Sequence, residues 1–153
     1  MKPDGKYRMW SVATQNFLRL KENGDNIQAE FTGNGNEQSS EFTSIANTTN
    51  NPRVDENSWH LVFQGSDGTQ YALHVNKQHG TFSFQPYTTL ASAGIAAFVP
   101  ESFGIPQRSP FKALKVASSQ KCIACNKDGT LSLKTFKDIY PHPDTIFVIS
   151  EVD

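Results

Sequence analysis

Cysteine is scarce in this chain: among 153 residues only Cys122 and Cys125 occur, which excludes a disulfide-stapled scaffold. A dominant charge is missing too. Lys and Arg number 14 against 15 Asp and Glu, with no run of three basic residues, so neither nucleic acid nor an acidic membrane is expected as a partner. No stretch approaches the roughly 18 apolar residues that span a bilayer, and no charged-then-apolar leader opens the chain. Helical periodicity is almost absent. The Ala-rich stretch 88–97, interrupted by Gly94, supports one turn at most. Asn, Gln, Ser, Thr and Gly are plentiful instead, which points to one loop-rich all-β domain over 1–153.

The clearest unit is 122–136. Ile123 and Cys125 precede an Asn126-Lys127-Asp128-Gly129 turn, and Leu131 and Leu133 follow it, the pattern of a β-hairpin. Two relatives occur. The stretch 17–31 carries Leu18 and Leu20, a turn at Asn23-Gly24, then Ile27 and Ala29; 71–85 carries Leu73 and Val75, a turn at His79-Gly80, then Phe82 and Phe84. The turn glycines stand at 24, 80 and 129, and a phenylalanine stands 18 residues after each, at 42, 98 and 147. Each hairpin lies between an opening strand (7–12, 59–64, 111–116) and a closing one (41–45, 96–99, 145–152). That makes four strands per round and twelve in all, with rounds near 6–50, 58–104 and 110–152 and polar connections at 46–58 and 100–110.

Four short strands with one apolar face cannot bury that face alone, whereas three copies closing on one another can. The expected fold is therefore an all-β β-trefoil, a six-stranded barrel plugged by three hairpins. Its core would take the hairpin residues above together with Phe42, Phe98 and Phe147. A propeller would need more blades, and a two-sheet sandwich gives no reason for a threefold repeat.

Catalytic chemistry finds little support. The Cys122-x-x-Cys125 spacing on a strand sends the two thiols to opposite faces, one buried and one at the surface, so a redox pair or a shared metal is not expected. His60, His74, His79 and His142 read as exposed strand and turn residues. His142-Pro143-Asp144 reads as a proline turn, and Asn47-Thr48-Thr49 is a glycosylation sequon whose use depends on secretion. Nucleophile elbows, phosphate-cradling glycine loops and zinc-protease motifs are absent. The chain is expected to be no enzyme, to need no cofactor or metal, and to act by binding as a monomer.

Trefoils bind in several ways. The Gln-x-Trp repeat of ricin-type lectins and the dense basic patch of fibroblast growth factors are both missing. Asp4-Gly5-Lys6-Tyr7-Arg8 is similar to the opening of mushroom protease inhibitors of this fold. A broader likeness runs through all three rounds. Tyr7-Arg8-Met9-Trp10-Ser11-Val12 with Phe17, and 27–31, resemble the antagonist-type members of the interleukin-1 family of cytokines. Further on, 71–79, 96–99 and 145–151 resemble the corresponding strands of interleukin-33. The resemblance implies surface contact with an immunoglobulin-like receptor ectodomain, release from the cell by a leaderless route after a cytoplasmic or nuclear stage, and receptor-facing positions at Trp10, Thr14 and Phe31. Trp10 sits on a strand apolar on both faces (Met9 one way, Val12 the other), so inward and outward remain open, as does agonist against antagonist. The alternative is a trefoil module that binds carbohydrate or a protease through its loops, with Arg53, Asp55 and Glu56 as contact candidates.

Overall fold

The computed structural model describes residues 1–47, 58–88, 94–104 and 109–152. Twelve strands follow one another over these. The first round holds β1 Lys6–Ser11, β2 Phe17–Asn23, β3 Asn26–Gly33 and β4 Phe42–Ala46. The second holds β5 Trp59–Gln64, β6 Gln70–Asn76, β7 Thr81–Pro86 and β8 Phe98–Ser102. The third holds β9 Phe111–Val116, β10 Lys121–Cys125, β11 Leu131–Thr135 and β12 Phe147–Glu151.

Six strands close a ring of antiparallel pairs, running β1, β4, β5, β8, β9, β12 and back to β1. Closure leaves that ring without a free edge. The remaining six form three hairpins, β2–β3, β6–β7 and β10–β11, whose second strands meet one another. The fold is a β-trefoil.

The threefold spacing has a physical origin at two levels. Gly24, Gly80 and Gly129 turn the hairpins at φ of 61°, 68° and 88°, a region in which a side chain is disfavoured. Phe42, Phe98 and Phe147, at 1%, 0% and 0% exposure, then begin the three closing strands inside the barrel. Alternation does the rest. In β1, Tyr7, Met9 and Ser11 point inward and Arg8 and Trp10 outward. Aromatic contacts tie the hairpins to the barrel: Phe31 stacks on Phe147 with centroids 5.2 Å apart, and Phe84 meets Phe63 edge-on at 5.2 Å.

The repeat continues in the backbone where no residue type announces it. Gln15, Gly68 and Ser118, in the connections β1–β2, β5–β6 and β9–β10, adopt φ of 60°, 83° and 61°. The left-handed conformation costs a non-glycine residue about 1 kcal/mol or more, yet only the second round places glycine there.

Several expectations change. Leu18, Leu20, Leu73, Val75 and Ile123 are in the core, while Ile27, Phe82, Phe84, Leu131 and Leu133 are only half-buried against it. Met9, Phe31, Leu61, Phe63 and Leu114 are core residues that the hairpin pattern did not single out. Cys122 and Cys125 do point opposite ways, but neither is at the surface. Cys125 joins the main core, and Cys122 lies in a second cluster with Phe103 and Ala113, covered by Phe136 and Ile146. His60 is buried at 1% exposure rather than exposed, its Nδ1 bonded to the Ala96 carbonyl at 3.1 Å. Strand β8 runs through Pro100 to Ser102, into the stretch read as a loop, and a 3-10 turn at Pro143–Thr145 precedes β12. Residues 48–57, 89–93 and 105–108, in the two connections and the helical-turn candidate, lie outside the described residues.

Candidate functional site

The first and third rounds bring the same pieces together: the tip of the hairpin, the turn before the closing strand, and the connection between the first two strands of the next round; in the second, the described residues show the hairpin tip meeting that connection. The outcome differs from round to round. In the first, the Glu22 carboxylate accepts hydrogen bonds from the Ser66 amide at 2.7 Å and the Ser66 hydroxyl at 2.8 Å, bridging the cleft. In the second, Lys77 donates from Nζ to the Ala117 carbonyl at 3.1 Å. In the third, Thr14 Oγ1 meets Cys125 Sγ at 3.5 Å, a weak pairing, and Lys134 of the hairpin pairs with Asp144 of the turn. Asn126, which faces the gap, spends its amide within its own hairpin on Thr130 and Ser132, at 2.9 Å and 3.0 Å.

The third cleft is accordingly the larger, about 530 Å³ against about 320 Å³ for the first. Ala13, Thr14 and Asn16 form one wall, Asn126 and Lys127 another, and His142, Pro143 and Asp144 the third. Asp144 has two different oxygens. Its Oδ2 pairs with Lys134, while its Oδ1 is shielded from solvent and takes no hydrogen bond from the described residues. A buried carboxylate oxygen left without a donor is costly. The same carboxylate influences Cys122, whose thiol is pushed up to about 11 by burial first and by the Asp144 charge second. That thiol stays protonated and unreactive at neutral pH.

A second concavity adjoins the third cleft. An apolar groove of about 340 Å³ lies between Val12, Phe103, Phe111, Ile139, Tyr140 and Ile146. Three large hydrophobic residues are exposed among the described residues, Phe111 at 39%, Ile139 at 66% and Tyr140 at 92%, and all three line it.

The residues singled out from the sequence separate widely. Trp10 is half-buried on the outer face of β1, opposite Met9. Thr14 is half-buried and lines the third cleft. Phe31 is in the core at 0% exposure, so its ring has no surface to offer a receptor; it stacks on Phe147 instead. Arg53, Asp55 and Glu56 lie outside the described residues. His79 and His142 are exposed as expected, and His74 is half-buried, accepting the Ala96 amide at 3.1 Å. Sequence reasoning missed Asn16, Lys127 and Asp144. The threefold register was the signal that could have led to them, because it predicts three equivalent clefts to compare.

No family model and no curated protein sequence matches the chain. Solved structures do match its fold. Cry35Ab1 superposes with a TM-score of 0.71 at 9% identity, over 100% of this chain and 37% of that one. The Macrolepiota procera ricin B-like lectin in complex with lactose gives 0.64 at 10% identity, over 99% of each chain. SeviL bound to asialo-GM1 saccharide gives 0.61 at 9% identity, over 98% of this chain and 99% of that one. The trefoil is shared. At such identities the likeness carries the fold alone, and none of these neighbours assigns the chain to the interleukin-1 family.

Proposed function

We propose that this chain is a non-catalytic, carbohydrate-binding β-trefoil module whose binding site is the cleft of the third round. The observation that carries this reading is the open third cleft, where Asn16, Lys127 and His142 stand on three walls together with the Asp144 carboxylate. A pyranose presents hydroxyls that each donate and accept. Asp144 would accept from one of them at Oδ2, the oxygen it shares with Lys134, Asn16 and Lys127 would donate, and the Pro143 ring would meet the apolar face of the sugar. The side chains of Asn16, Lys127 and His142 make no hydrogen bond to the described residues, so they are free to turn to a ligand. The lactose and asialo-GM1 saccharide named for two structural neighbours support the class of ligand, not its identity. Glycans are displayed outside cells, so the chain would act there, as a monomer.

Binding to an immobilised panel of mammalian, plant and fungal glycans, followed by titration calorimetry on the hits, tests the reading. Asp144→Asn keeps the size of the side chain and removes its charge, and should weaken the best hit by about 10- to 100-fold, the range for a charge-assisted hydrogen bond. Retention of full affinity by this variant, or a panel with no hits at millimolar protein, would sink it.

The interleukin-1-like reading keeps one supporting observation. Trp10 faces outward on β1, where the resemblance places a receptor-facing residue. Surface plasmon resonance against interleukin-1-type receptor ectodomains decides it, with micromolar binding lost in a folded Trp10→Ala variant as the positive result.

A further inference from the structure

The polar cleft and the apolar groove are lined by consecutive residues of the same two segments. Val12 lines the groove and the next residues, Ala13 and Thr14, line the cleft; Pro141 lines the groove and His142 begins the cleft. The two concavities therefore lie side by side at both segments, one polar and the other apolar.

We propose that they form one continuous site for an amphipathic glycoside, with the sugar in the cleft and an alkyl or aryl aglycone in the groove; this rests on the saccharide reading above. The groove is poorly suited to a second sugar ring. Val12, Phe103, Phe111, Ile139 and Ile146 offer no hydrogen bonds, and Asp138 is the one charged side chain in its lining. A lipid or aryl tail makes no such demand and gains from leaving water.

Tyr140 supplies the independent support. It adopts φ of 53°, a conformation that an aromatic residue rarely takes, and its ring is held 92% exposed at the edge of the groove. Gln15 and Ser118 take the same conformation inside the threefold repeat, whereas Tyr140 takes it beside the groove, and backbone strain gathers at positions that meet ligands. The large apolar exposure of the described chain is confined to this one patch, which a headgroup bound next door would bring against an attached tail.

The test compares matched methyl and octyl glycosides of galactose, glucose, mannose and N-acetylglucosamine by calorimetry, below the micelle concentration. Each methylene buried is worth about fourfold in affinity, so an octyl glycoside seated in the groove should bind at least tenfold tighter than its methyl counterpart. Tyr140→Ala and Ile139→Ser change exposed side chains, and should erase that gain while leaving methyl glycoside affinity intact. Equal affinity for methyl and octyl forms would overturn the continuous site and leave the saccharide reading standing. Failure of every glycoside would bring down both. Octyl binding that Asp144→Asn does not touch would also overturn the proposal, since the groove would then act without the cleft.

Discussion

The first-round and third-round clefts are the same place in a threefold object, built from the same three kinds of segment, yet one is bridged and the other open. Glu22 holds Ser66 by two hydrogen bonds, and in the third round the facing residues are Lys127, which lines the cleft without bridging it, and Asn126, which turns back on its own hairpin. A closed cleft is an internal joint; an open one leaves its lining side chains accessible. Symmetry of the backbone therefore does not imply symmetry of the surface. It provides three equivalent positions, and side chains decide which of them stay open.

Replacing the barrel phenylalanines tests the underlying equivalence most severely. Phe42→Ala, Phe98→Ala and Phe147→Ala should each cost about 3–5 kcal/mol in chemical denaturation. Three similar losses would uphold the threefold core, whereas a small loss at one position would break the comparison at its root.

Acid should expose a difference next in size, confined to the second round. His60 donates from Nδ1 to the Ala96 carbonyl and His74 accepts the Ala96 amide, so the two rings flank one residue and the His74 bond requires a neutral ring. Burial lowers the pKa of both, His60 against a smaller opposing pull from the Ala96 carbonyl. The unfolded chain thus takes up the protons first. Stability from this pair is complete above pH 6.5, the ordinary imidazole value, and is lost as the pH falls toward the lower folded-state values. Melting temperatures from pH 8 to pH 5 should drop over that lower window, and His74→Gln should flatten part of the drop. A profile identical to the wild type would refute the role of His74.

Opening the first cleft is a smaller change. Glu22→Ala removes both bonds to Ser66 at an exposed site and should cost about 1 kcal/mol. It should not create saccharide binding there, because the first cleft's lining would then hold no carboxylate, whereas the third keeps Asp144. Glycan binding gained by this variant would mean that openness alone suffices.

The mildest test concerns the three left-handed turn residues. Gly68→Ala should destabilise by about 1 kcal/mol although nothing crowds a new Cβ, and Gln15→Gly and Ser118→Gly should be neutral or stabilising by about half that. Opposite signs in the second round and the other two would sharpen the view that only the backbone is repeated here.

The repeat was legible because turn glycines and closing-strand phenylalanines are residue types that few other positions tolerate. Gln15 and Ser118 carry the same backbone requirement and went unseen, since their side chains do not advertise it. Cys122 was placed correctly by face but wrongly by burial. Alternation allots one face to solvent, and it could not show that Phe103, Phe136 and Ile146 cover the outside of the third round as well. Phe31 drew attention through a resemblance of strand patterns, while its packing against Phe147 depends on the ring closing. The third cleft was beyond reach for a different reason. Its walls come from 13–16, 125–127 and 142–144, and what makes it a cleft is a bridge that two other rounds have and it lacks.

The pairing of β1 with β12 sets Tyr7 opposite Glu151, and Lys2 meets Glu151 in an ion pair of 2.5 Å. Both ends of the fold thus leave from one spot on its surface. Such a domain can be plugged into a longer polypeptide at a single loop, like a cassette, or joined end to end and reopened at another connection, without moving the cleft or the groove. Host and cargo would then be spliced at one point, and whatever the trefoil holds would be carried by the partner it is spliced to.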